Sequence, residues 1–289
     1  MPELPEVETI RGALEDLLVG REIVAAGFRR QDILRPDPRS PRGSVRRCIA
    51  RTRGARVDSL GRLGKNLLLR LDEGWGWVIH LGMSGTLIAA DPGDPEEDHT
   101  HVVLRPEGNL EIRFRDPRRF GSWRAAETPP VEEVLGDRVG IDALAPGLDV
   151  HLFAKLLGNS DSPIKCRLLD QRLVAGLGNI YVDEALFAAR VHPAKPAREL
   201  DSDSWSRLYR AVGEVLRGAL RNRGTTFSDY RDARGKSGDN ADNLAVYGRG
   251  GRECLRCASE LVRTKLRGRG THYCPRCQPY RKGGGEAGA

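Results

Sequence analysis

Four cysteines toward the end of the chain constrain its fold more than any other feature. Cys254-x-x-Cys257 is followed, after sixteen residues, by Cys274-x-x-Cys277. Each C-x-x-C makes a tight knuckle that presents two thiolates, and this spacing lies in the four-cysteine zinc range. The residues between the knuckles suffice for a β-hairpin that returns the second pair to the first. Two disulfides would need an oxidising compartment, and a start of prolines and glutamates is not a secretory leader. A redox pair does not call for two knuckles. One structural zinc ion on Cys254, Cys257, Cys274 and Cys277 is therefore expected, in a cytoplasmic protein. Cys48 and Cys166 have no metal-type spacing and read as ordinary core or partly buried thiols.

The opposite end reads Met1-Pro2-Glu3-Leu4-Pro5-Glu6. Removal of Met1 would make Pro2 a free secondary amine, and α-amino groups titrate near ~7.7–8, far below lysine. Unprotonated near neutral pH, such an amine attacks an aldehyde carbon and yields an iminium electron sink. Glu3 and Glu6 lie within reach as acid or base. Taken alone, the same residues also read as a frayed acidic tail. Against that, an amphipathic helix follows directly over Glu6–Val19, with Val7, Ile10, Leu14, Leu17 and Leu18 at helical spacing and Gly20 as its stop.

The length, 289 residues, allows two domains with real cores. No apolar run approaches a membrane span. The 47 basic residues exceed the 40 acidic ones, which suits a polyanion partner. The placement matters more than the total. Arg249, Arg252, Arg256, Arg263, Lys265, Arg267, Arg269 and Arg276 crowd the cysteine segment against only Glu253 and Glu260. A basic zinc hairpin is a nucleic-acid signal, with a solvated basic face as the plain alternative.

Short β-type runs fill the first part of the chain: 23–28, 55–60, 66–71, 76–81, 86–89, 101–105, 110–114 and 122–124. Close turns between them imply a sandwich or barrel. Helical periodicity takes over at 150–157, 164–169, 180–189 and 204–221. Residues 224–243 are polar and glycine-rich and read as a mobile loop, and 283–289 as a disordered tail. The fold class expected is α+β multidomain: a β-sandwich with its N-terminal helix over 2–130, a linker over 131–148, helices over 149–243, and a zinc finger over 244–282.

Four turn motifs are weak singly. Leu173–Tyr181 joins two helices through glycines and sets Asn179 at an N-cap, a phosphate site or a plain cap. Gly61–Asn66 places Lys65 in a turn before a strand. His80-Leu81-Gly82-Met83-Ser84-Gly85 carries a methionine that is either a core filler or a wedge for a base stack. Asp116–Gly121 holds Arg118 and Phe120 in an Asp-Pro turn.

Together, and in order, these pieces resemble the bacterial formamidopyrimidine-DNA glycosylases, of the same superfamily as endonuclease VIII. The resemblance rests on PELPEVET, GRLGKNLLL, IHLGMSG, DPRRFG, IKCRLLDQRLVAGLGNIYVDEALF, VYGR and the C-x-x-C pair with RGTHYC. It implies a β-sandwich carrying a helix, a helix–two-turns–helix domain and a zinc finger, with damaged double-stranded DNA in the cleft between the halves. The protein would act as a monomer away from membranes. Pro2 would attack the sugar C1′, with Glu3 as acid/base and Lys65 as a further catalytic-site residue. Glu6 would order the N-terminal segment and Lys165 would support the pocket. Lys65, His80, Asn179, Tyr247, Lys265 and Arg269 would grip phosphates. Met83, Arg118 and Phe120 would fill the gap left by a flipped nucleotide.

Three stretches depart from the family pattern. Arg62-Leu63-Gly64-Lys65 stands where Arg-Arg-Gly-Lys is usual. Gly140-Ile141-Asp142-Ala143-Leu144 replaces a Gly-Pro-Glu-Pro-Leu. Asp239-Asn240-Ala241 occupies the place of a Phe-Gln pair in the damage-recognition loop. The activity implied is a bifunctional glycosylase and abasic-site lyase for oxidised purines. The rival readings are an endonuclease VIII-type enzyme for oxidised pyrimidines and a non-catalytic zinc-finger DNA binder. Leu4, Met83 and Arg118–Phe120 favour the purine branch, and retention of Pro2, Glu3 and Lys65 favours catalysis.

Overall fold

Glu3 begins the first helix, α1 (Leu4–Leu18), as its extended N-cap. The Glu3 N–H donates to Glu6 Oε2 at 2.8 Å in a capping-box arrangement. Val7, Ile10, Leu14 and Leu18 recur on one face and are buried in the sandwich core with Leu60, Leu67 and Leu69. The computed structural model describes residues 2–227 and 230–280. Met1 and the expected tail at 283–289 lie outside the described residues.

The chain divides into two compact units, Met1–Arg138 with Ala219–Ala241, and Val139–Gly218 with Asp242–Ala289. In the first unit, α1 is followed by β1 (Ile23–Phe28), β2 (Leu34–Arg35), α2 (Ser44–Thr52), β3 (Val57–Leu63), β4 (Asn66–Leu71), β5 (Gly76–His80), β6 (Thr86–Ala90), β7 (Thr100–Pro106), β8 (Glu111–Arg115) and β9 (Ser122–Ala126). A four-stranded sheet runs β1-β7-β8-β6, and a five-stranded one β2-β9-β5-β4-β3. Their inner faces meet through aromatic rings. Phe28 of β1 lies 5.0 Å from Trp77 of β5, and Phe114 of β8 lies 5.9 Å from Trp123 of β9. Such tilted and edge-on pairs add to the area they bury.

Helix α2 is absent from the sequence reading. Its run of arginines hides Val45, Cys48, Ile49 and Thr52, which share one face at helical spacing and turn inward. Gly43 supplies a left-handed N-cap, φ 74°.

The second unit contains β10 (Ile141–Asp142), α3 (Val150–Gly158), α4 (Ile164–Leu168), β11 (Val174–Ala175), α5 (Asn179–Ala189), most of α6 (Ser202–Arg221), β12 (Val262–Leu266) and β13 (Arg269–Tyr273). β10 and β11 pair in parallel, a contact too short to show as periodicity. Phe153 of α3 packs edge-on against Trp205 and Tyr209 of α6, at 6.0 and 5.7 Å. The zinc-finger strands β12 and β13 are antiparallel, with Lys265 opposite Gly270 and Leu266 opposite Arg269. Arg267 and Gly268 both have positive φ, 44° and 79°, the two-residue turn that suits a twisted hairpin. Residues 219–241, read from sequence as the end of the last helix and the loop after it, cluster with the sandwich. Thr225 and Tyr230 bond to Glu6.

Candidate nucleic-acid interface and metal centre

At the head of α1, Pro2, Glu3 and Glu6 are all buried. Fixing Glu3 as N-cap holds the residue after Pro2 in one extended conformation, so the segment is not a frayed tail. The neighbouring β3–β4 turn carries Lys65, itself buried, with Gly64 at φ 59°. Arg62 ties this turn to α1, donating to Glu8 Oε2 at 2.9 Å and to the Gly64 carbonyl at 3.0 Å. Arg62, which remains where the family pattern has two arginines, is a brace between helix and turn.

The sheet then sets His80 beside this turn, because His80 of β5 pairs in register with Asn66 of β4 and Ser122 of β9. The Gly82 N–H donates to His80 Nδ1 at 3.0 Å, which requires that nitrogen to be unprotonated. Burial, with the Lys65 charge adding to it, pushes the imidazole below its ordinary value.

Met83 and Phe120 project into solvent, 43% and 56% exposed. Their loops are cross-braced by Asp116, which accepts from Ser84 Oγ at 2.6 Å and from the Gly121 N–H at 2.7 Å. Ser84 Oγ in turn accepts from the Arg118 N–H at 3.3 Å. Gly82 seats the turn on the other loop: a Cβ there would stand 2.4 Å from the Phe120 carbonyl carbon. The Arg118 guanidinium lies 4.8 Å from the Phe120 ring centroid. Three side chains expected to fill a vacated base position thus come from two loops held as one. Asp116, noticed in the sequence only as an Asp-Pro turn, is the brace.

In the second unit Gly178 is the N-cap of α5 and Asn179 its first helical residue, one position from the sequence assignment. Asn179 Nδ2 donates to the Gly270 carbonyl at 2.9 Å. Lys165, expected as a supporting residue, is fully buried: its side chain and that of Asp183 are both 0% exposed. Lys165 Nζ donates to Asp183 Oδ1 at 2.7 Å, the Gly270 carbonyl at 2.7 Å and Thr271 Oγ1 at 2.9 Å. Asp183 Oδ2 accepts from the His272 N–H at 2.9 Å. Next along α5, Glu184 accepts from the N–H groups of Ala245, Val246 and Tyr247. Burial raises the Glu184 carboxyl despite those donors. Neither acid was picked out from sequence, although two carboxylates inside an otherwise apolar helix are a signal, since acids are seldom buried unless paired. The network leaves Lys265 and Arg269 exposed around the hairpin turn, and Tyr247 edge-on to His272 at 5.0 Å.

The four knuckle sulfurs lie within 4.8 Å of one another and none is in a disulfide. A tetrahedral zinc with Zn–S of ~2.3 Å implies sulfurs about 3.8 Å apart, and Cys254–Cys277 and Cys257–Cys274 are 4.0 and 3.5 Å apart. Backbone N–H groups of Arg256 and Cys277 point at the sulfurs of Cys254 and Cys274, as charge on thiolates requires. The donor set fits one zinc ion, held by Cys254, Cys257, Cys274 and Cys277. Among the described residues no helix is long and apolar enough to cross a membrane.

A strand sandwich, a helix–two-turns–helix domain and a four-cysteine hairpin in one chain make up the architecture of a class of DNA-repair glycosylases. Models of that class match in sequence order. The formamidopyrimidine-DNA glycosylase N-terminal domain matches residues 1–123, the H2TH domain 139–231, and the zinc finger found in FPG and IleRS 251–279. The formamidopyrimidine-DNA glycosylase of Herpetosiphon aurantiacus is 39% identical over 281 residues, 96% of this chain and 100% of the relative. That of Symbiobacterium thermophilum is 41% identical, over 98% of this chain and 91% of the relative. Among solved structures, the MutM (FPG) protein of Thermus thermophilus superposes with a TM-score of 0.84 at 39% identity, covering 97% of this chain and 100% of that one. Lactococcus lactis Fpg in complex with abasic-site DNA gives 0.86 at 33% identity, covering 96% and 100%. The chain belongs to the formamidopyrimidine-DNA glycosylase family.

Proposed function

We propose that this DNA glycosylase is bifunctional, releasing oxidised purines from duplex DNA and then cutting the abasic strand. The carrying observation is the burial of Pro2 directly before Glu3, the fixed N-cap of α1. A fixed N-terminal secondary amine beside a carboxylate serves no purpose in simple binding. With Met1 removed, the Pro2 nitrogen forms a bond to C1′ as the glycosidic bond breaks, and the departing base takes up a proton. Glu3 protonates the ring oxygen, the sugar opens, and nitrogen and carbon share an iminium. The iminium acidifies the adjacent C–H, so successive β- and δ-eliminations expel the 3′ and then the 5′ phosphate. Lys65 and His80 hold phosphate near the lesion on one unit; Asn179, Tyr247, Lys265 and Arg269 do so on the other. Met83, Arg118 and Phe120 occupy the space the nucleotide leaves.

Lesion preference follows from the loop at 239–241. Asp239 pairs with Arg223 at 2.7 Å, and Asn240 bonds to Thr225 and Asn222. These side chains secure the loop's own neck and supply none of the apolar cover of a Phe-Gln pair. Ring-opened formamidopyrimidines and abasic sites should therefore be processed well and 8-oxoguanine comparatively slowly. Single-turnover excision on duplexes differing only in the lesion tests both points. Equal rates on 8-oxoguanine and the ring-opened purine would refute the loop reading, and preference for oxidised pyrimidines would refute the purine reading. In the same assay Glu3→Gln should lose ~10²–10⁴-fold in excision with little change in DNA affinity.

A further inference from the structure

Glu6 holds two distant parts of the first unit with one carboxylate. Its Oε2 accepts the Glu3 N–H at 2.8 Å, one residue from Pro2. Its Oε1 accepts the Thr225 N–H at 2.7 Å, from the neck of the loop over 222–240. The side chain is 2% exposed, so water does not compete for either bond. The neck is closed tightly around this point. The N–H groups of Asp239 and Asn240 donate to the carbonyls of Asn222 and Gly224, at 2.8 and 3.1 Å. The Tyr230 hydroxyl reaches the Glu6 carbonyl at 3.4 Å and the Arg223 carbonyl at 3.2 Å. Gly224 sits flat on the carboxylate at φ +81°, and a Cβ there would stand 2.7 Å from Oε1 and 3.1 Å from Cδ. Nothing larger than hydrogen fits without moving Glu6.

We propose that Glu6 is a positioning residue that couples the neck of this loop to the proline nucleophile. A base-recognition loop needs only to touch the base. This one shares its anchor with the backbone of the attacking residue's neighbour, so a shift at the neck moves Glu3, and Pro2 with it. A displacement of about 1 Å at a reacting group can cost up to 10²-fold in rate. The consequence is specific: the state of the neck affects attack even on a sugar that carries no base.

The inference rests on the proline-nucleophile reading, and a duplex with a preformed abasic site separates the two. Borohydride trapping is followed under single turnover with saturating full-length enzyme, and affinity is measured on a tetrahydrofuran-containing duplex. Gly224→Ala and Glu6→Gln should each trap at least about tenfold more slowly, with affinity changed less than about twofold. A glutamine keeps one acceptor oxygen, so one of the two backbone N–H groups loses its partner. The double variant should be no slower than the slower single one, because both act through one clamp. Lys236→Ala, elsewhere in the loop, should trap at the wild-type rate. Trapping by Gly224→Ala at the wild-type rate would overturn the coupling while leaving the nucleophile intact. No trapping by the wild type would overturn the nucleophile itself. Should Gly224→Ala not fold, Glu6→Gln decides alone: slower trapping with faster amide exchange at Thr225 supports the coupling, and unchanged trapping overturns it.

Discussion

Replacing Lys165 with methionine separates structural support from DNA contact. The ammonium spends its three N–H groups on Asp183 and Thr271, in buried bonds, and on the Gly270 carbonyl, in a partly buried one. Methionine has similar length and no donor. The Gly270 carbonyl keeps Asn179 as a donor, so the main loss is the counter-charge of Asp183. Removing one member of a buried pair costs about 3–5 kcal/mol. Asp183→Asn should cost a similar amount from the other side. With Lys165→Met and Asp183→Leu together no charge is left stranded. The residual cost is then mainly the His272 N–H without its acceptor, about 1–3 kcal/mol. The double variant should thus be more stable than either single one. Two units make a global unfolding curve a poor readout, so amide exchange over residues 269–274 is the assay. At 1.4 kcal/mol per decade, protection there should fall by roughly two to three and a half orders of magnitude in Lys165→Met and recover partly in the double variant. DNA affinity should weaken because the strand leading from Arg269 loosens, yet the dependence on salt should keep its slope. A buried lysine releases no counterion, whereas each phosphate contact contributes a slope of about 0.9. Unchanged protection at His272, or a shallower salt dependence in Lys165→Met, would refute this reasoning.

Chelation should remove one zinc per chain and abolish specific DNA binding, because ordering of the hairpin that presents Lys265 and Arg269 is coupled to the metal; metal analysis and near-ultraviolet dichroism of Trp77 and Trp123 should show zinc lost and the sandwich intact. Arg269→Ala should weaken binding to every duplex sequence and reduce the salt slope by about 1, read from titrations at several salt concentrations. The lowered His80 imidazole stays neutral in the folded protein at a pH where the unfolded chain takes up a proton. Its effect on stability is therefore nil well above the unfolded value of ~6.5 and destabilising as pH falls below it. His80→Gln should flatten the loss of stability between neutral and mildly acidic pH, measured by urea titration.

What the sequence disclosed follows the range of each interaction. The cysteine knuckles, the hairpin between them and strands such as β4 and β5 are set by neighbours a few residues away, and spacing shows them. Helix α2 was hidden because Arg46, Arg47 and Arg51 outweigh the four inward-facing residues that define its buried face. The pairing of β10 with β11 is two residues long and leaves no period. The site residues, with Glu6 and Lys165 as supports, were named through family motifs, but the distant partners that fix them were not. Asp116 bridges two loops, Asp183 meets His272 across 89 positions, and Glu6 meets Thr225 across 219. A single chain read in one dimension carries no mark of which distant N–H a buried carboxylate will meet. Lys165 is an example: the motif marks it as a support, while its partners Asp183, Gly270 and Thr271 come from the fold.

The most direct test of the proline mechanism is to map the borohydride-reduced adduct formed on an abasic-site duplex by mass spectrometry. The expected adduct lies on the peptide that begins at Pro2, with Met1 absent, and a chain extended by a blocked residue before Pro2 should bind the duplex without forming it. An adduct on Lys65 or any other lysine, or full trapping by the extended chain, would contradict the assignment of Pro2 as the nucleophile.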